Sequence, residues 1–131
     1  MIAVAQGSTL DRYSNNFSLF LLLEQMRPSS YPARLTVHSH AFFEIDAAEI
    51  GVEHEVRLLV TRGHEVVFRT ASVAIRPSGE RHRVRMTGLT IPEPGLYRVM
   101  VEWRPRPVAG TETGWVREAA AWPLRADVPL Q

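Results

Sequence analysis

The chain contains no cysteine and no lysine. Without cysteine there can be no disulfide framework, no thiolate metal site and no thiol nucleophile, and nothing points to an oxidising compartment. Without lysine, all 15 basic residues are arginine, and against 14 acids they leave a formal net charge of +1. Proteins that hold nucleic acid by neutralising phosphates carry a clear basic excess, so no nucleic-acid partner is expected. No apolar run is long enough to span a bilayer. The opening MIAVAQGSTLDRYSNNF lacks the basic region and apolar length of a signal peptide. These absences predict a soluble cytoplasmic protein with no membrane partner. Phosphate-cradling loops and the G-x-S-x-G elbow are missing too, and Ser18, Ser29, Ser30, Ser39, Ser72 and Ser78 sit in no nucleophile motif. No catalytic residue and no cofactor follow from these patterns.

What is present is alternation. At 131 residues the chain can bury its own core, and one domain over 1–131 is expected. IAVA (2–5) reads as a short first strand and GSTLDRYSNN as a polar connection. NFSLFLLLEQM (16–26) is apolar almost throughout, which leaves helix or strand open, with the alternation of everything after it favouring a buried strand. In RLTVHSHAFFEI (34–45), Leu35, Val37, Ala41 and Phe43 share one face, and Arg34, Thr36, His38, His40 and Glu44 share the other, which is expected to face water. HEVRLLV and HEVVFR, joined at Arg62 and Gly63, predict a hairpin with Val56, Leu58 and Val60 on one face and Val66 and Phe68 together on another. SVAI (72–75) can add a short strand.

Further on, Arg81, Arg83 and Arg85 alternate with His82, Val84 and Met86. PEPG (92–95) marks a turn, and Tyr97, Val99, Val101 and Trp103 then oppose Arg98 and Glu102. RPRPVAGTETG reads as a loop, and WVREAAAWPLRADV as a last strand in which Pro123 predicts an edge or a bulge. About seven to nine short strands without an amphipathic helix predict an all-β, antiparallel two-sheet β-sandwich.

Two resemblances refine this. His38, His40, Glu44 and Gly51, followed by Pro77, Gly79 and His82, resemble the two motifs of the cupin superfamily. That resemblance implies the alternative fold, a small β-barrel, and the alternative function, a metal-dependent enzyme in which His38, His40, Glu44 and His82 hold a divalent metal. Strand alternation opposes it: His82 falls with Val84 and Met86 on a core face, while the other three lie on polar positions, and ligands of one ion must converge. The order of SNNFSLFLLLEQM, YPARLTV, EVRLLVTRG, RHRVRMTGLTIPEPGLYRVMVEWR and GWVREAAAWPL is similar to a family of small bacterial proteins of unknown function. Membership implies an immunoglobulin-like or C2-like sandwich without catalytic residues.

The function expected is therefore a non-enzymatic protein-interaction or accessory module, with no metal and no cofactor. Arg81, Arg83, Arg85 and Arg98 beside Glu102 form the expected contact face, because arginine is a common interface anchor. The partner is another protein or, through an edge strand, a second copy. Tyr97, Trp103, Trp115 and Trp122 are expected to pack rather than bind sugar, and the acidic stretch from Glu44 to Glu55 to be a solvated connection rather than a calcium loop.

Overall fold

The computed structural model describes residues 1–10, 17–106 and 114–129, with the side chains of 7–10 and 17–21 excepted. Expectations about the connections at 11–16 and 107–113 lie outside the described residues. The described residues form ten strands: β1 (Ile2–Leu10), β2 (Phe17–Leu22), β3 (Gln25–Met26), β4 (Ala33–Glu44), β5 (His54–Arg62), β6 (Glu65–Arg69), β7 (Val73–Ile75), β8 (Arg81–Ile91), β9 (Gly95–Pro105) and β10 (Val116–Ala126). The only helical element among the described residues is a single 3-10 turn at Ala47–Glu49. The open choice over 17–26 resolves as strand, and β1 runs on through residues read as connection.

The strands form two sheets packed face to face, a β-sandwich. One has the order β2-β1-β4-β8; the other has β3-β10-β9-β5-β6, with β7 also beside β5. Every pairing is antiparallel except the short one between β3 and β10. The inward faces are the alternating apolar sets. Ile2, Val4, Val37, Ala41, Val84 and Met86 from the first sheet meet Val56, Leu58, Val60, Tyr97, Val99 and Val101 from the second. Each large aliphatic side chain removed from water in this way contributes roughly 1.5–3 kcal/mol, which holds the sheets together.

Three irregularities decide where side chains point. Gly88, at φ 93, lies where the β4–β8 register slips, so Leu89 and Ile91 return to the core after Val84 and Met86. The slip leaves Arg81–Thr87 in unbroken register against His38–Glu44. On β6, a slip places Phe68 opposite Val60 but Val66 opposite Thr61. The expectation that Val66 and Phe68 share a face is thereby corrected, because the extra residue Val67 reverses the alternation. On β10, two added residues fall between Arg117 and Ala121, and Pro123 follows on a strand whose far side pairs with β3 only at Arg125 and Ala126. Pro123 thus sits at an edge, where its missing N–H costs no ladder bond.

The chain changes sheets at PEPG. Although β8 and β9 are consecutive, β8 ends the first sheet and β9 lies inside the second. Pro92 and Pro94 fix φ and supply no N–H, so this corner crosses between the sheets instead of closing a hairpin.

Candidate functional site

The register of β4 against β8 places the four histidine-motif residues. His38 is opposite Thr87, His40 opposite Arg85, Glu44 opposite Arg81, and His82 opposite Phe43. Cross-strand partners share a face. His82 is therefore on the core-facing side, and His38, His40 and Glu44 are on the outward side. No three His, Cys, Asp or Glu side chains gather in a metal-holding group among the described residues.

His40 corrects the expectation of a wet face. It is 0 % exposed, although it points away from the core. Ala3 of β1 and Arg85 of β8 flank it across the sheet, and the His38 and Phe42 rings lie 6.2 and 6.5 Å away along the strand. Ala3 and Ala5 on the same outward side are buried as well. Alternation tells which side a residue takes, not what covers that side. Burial, with Arg83, His38 and Arg85 adding positive charge nearby, lowers the His40 pKa to about 4, so its imidazole is neutral at neutral pH. Burial lowers the pKa of half-buried His82 as well.

The expected contact face divides between the two sheets. Arg81, Arg83 and Arg85 lie on the outward side of β8, whereas Arg98 and Glu102 lie on the outward side of β9 in the other sheet. The sheet change at PEPG is the physical reason. Glu102 is also not a surface group: it is 4 % exposed and accepts a hydrogen bond from Arg57 Nε at 2.5 Å, with Arg69 Nε 3.6 Å away. Next to it, Glu55 pairs with Arg104 at 2.8 Å. Trp115 lies over both cations, its ring centre 4.0 Å from the Arg57 guanidinium carbon and 4.4 Å from that of Arg104. This face carries its own ion pairs, Arg57 with Glu102 and Arg104 with Glu55, and fully buried Leu59 is among its outward-pointing residues.

The outward side of β8 differs. Arg81 and Arg85 are exposed, and neither holds an ion pair among the described residues, while Arg57, Arg62, Arg69, Arg76, Arg104, Arg106 and Arg125 each hold one. As the terminal strand of its sheet, β8 pairs with β4 on one side only. On the β4 side of its start, Arg81, His82 and Arg83 line a groove of about 720 Å³ together with Glu44 and Glu118, to which Phe43 and Val101 add apolar surface.

No family model, curated protein or solved structure matches the chain. No helix of the described residues is long and apolar enough to cross a membrane.

Sequence reasoning misses the cluster of Glu55, Arg57, Arg69, Arg104 and Trp115. Its signal is present in part, since Glu55 and Arg57 on one strand and Glu102 and Arg104 on another are two apart and so share a face. Only the pairing of Arg57 with Glu102 and Glu55 with Arg104 brings them together. The remaining aromatics pack, and each polar tip finds an acceptor: Tyr97 Oη donates to Glu93 O, Trp122 Nε1 to Leu23 O, and Trp103 Nε1 to Glu118 Oε1, all at 2.6 Å. Within the acidic stretch, Glu53 takes Arg106 and Arg76 as partners.

Proposed function

We propose that this chain is a non-enzymatic protein-interaction module of the cytoplasm that takes up an extended segment of its partner as an additional strand on β8. A strand with one free side presents a row of unpaired N–H and C=O groups, and main-chain hydrogen bonds to such an edge give affinity independent of a deep pocket. One observation carries this reading: Arg81–Thr87 is a regular stretch without proline or bulge at the end of a sheet. The other long strand with an open side, β10, is broken by its bulge and by Pro123. Among the other terminal strands, β2 has six residues, β3 two, β6 five and β7 three.

Selection of random displayed peptides on the purified protein, followed by backbone amide exchange on the complexes, tests the reading. Selected peptides are expected to slow exchange at residues 81–87 more than at β3 or β6. Protection confined to other strands, or selections that return no binder, would remove β8 as the contact.

A further inference from the structure

Resting on strand uptake by β8, we infer that the segment it takes up belongs to another protein and carries acidic side chains at every second position, with apolar ones between. Arg81, Arg83 and Arg85 stand two residues apart on one side of β8, so they repeat about every 6.8 Å along the strand. A strand laid against β8 brings every second side chain to within about 5 Å of this row. Across the existing pair, the row faces Glu44, Phe42 and His40, and exposed Arg81 and Arg85 hold no ion pair among the described residues. Carboxylates on the incoming strand would pair with Arg81 and Arg85 as Glu102 pairs with Arg57 and Glu55 with Arg104 in the other sheet.

The opposite side of the same incoming strand meets different chemistry. It runs beside His82, Val84 and Met86, the core-facing residues of β8. Apolar side chains at the intervening positions fit that surface. A second copy of this chain does not suit the edge. An antiparallel pairing of β8 with β8 about a two-fold axis at Arg83 sets arginine against arginine at all three positions, and like charges directly opposite destabilise a sheet. Nucleic acid offers the charge but has no backbone N–H and C=O groups to continue the ladder.

Nine-residue peptides alternating glutamate, glutamine or lysine with valine separate charge from strand uptake. Binding is read by fluorescence anisotropy, and location by amide exchange at residues 81–87. The glutamate peptide is expected to bind about tenfold more tightly than the glutamine peptide, and the lysine peptide most weakly. Added salt should narrow the gap. The double variant Arg81→Glu/Arg85→Glu should invert the order, and Arg81→Gln/Arg85→Gln should level it; circular dichroism checks that both remain folded. Equal binding of the three peptides with protection of 81–87 would overturn the acidic partner while leaving strand uptake intact. Binding of the glutamate peptide without that protection would overturn both. A single-stranded oligonucleotide that displaces the glutamate peptide from residues 81–87 would overturn the assignment of the site to a protein segment.

Discussion

His82 lies opposite Phe43, whereas His40, three residues earlier on the same strand as Phe43, lies opposite Arg85. A β-strand sends alternate side chains to opposite sides, so these two imidazoles have the sheet between them. The expected consequence is that purified protein carries no stoichiometric iron, manganese, nickel or zinc, and that His38→Ala and His82→Ala leave its metal content unchanged. Elemental analysis checks this, and one equivalent of metal lost in both variants would contradict it.

Burial of His40 predicts a stability that falls with acid. With its pKa lowered to about 4 in the folded protein, the imidazole stays neutral where the unfolded chain, titrating near 6.5, already takes up a proton. The contribution is complete above about pH 6.5, declines as the pH falls towards 4, and changes little below that. The loss over this window is on the order of 3 kcal/mol. Urea unfolding at several pH values should show a decline that is shallower by this amount in His40→Asn. Parallel curves for the two proteins would refute the assignment.

Glu102 predicts a coupled loss. Removing its carboxylate in Glu102→Ala leaves Arg57 and Arg69 without their shared acceptor, at an expected cost of about 2 kcal/mol. Arg57→Ala should cost a similar amount and also lose the contact with Trp115. The double variant should fall short of the sum by roughly 1 kcal/mol or more, because the two residues act on one interaction. A double-mutant cycle by denaturant unfolding measures the shortfall; strict additivity would show the pair to be inert.

Ser39 predicts a gain. Its side chain is 0 % exposed on the core side, opposite Val4 and Met86, and its Oγ has no hydrogen-bond partner among the described residues. Burying a hydroxyl without a partner is unfavourable, so Ser39→Ala should be neutral or more stable by about 1 kcal/mol. The urea midpoint should stay or rise at unchanged slope. A fall of a full kcal/mol or more would show that the hydroxyl does have a partner.

Alternation by itself determined the class of fold and the inward side of β4, β5, β8 and β9, because a two-residue period is a property of one strand and survives any choice of neighbour. Val37, Ala41, Val56, Leu58, Val84 and Val99 could be placed in the core from their spacing alone, and His82 could be separated from His38 and His40 in the same way. The tertiary structure alone decided which strands became neighbours. It put the arginines of β8 and the Arg98 and Glu102 pair of β9 on different sheets, brought Glu102 to Arg57, and buried His40 on a side that its spacing marks as outward. Partners and coverings of this kind come from residues far away in the chain, and the spacing within a strand carries no record of them.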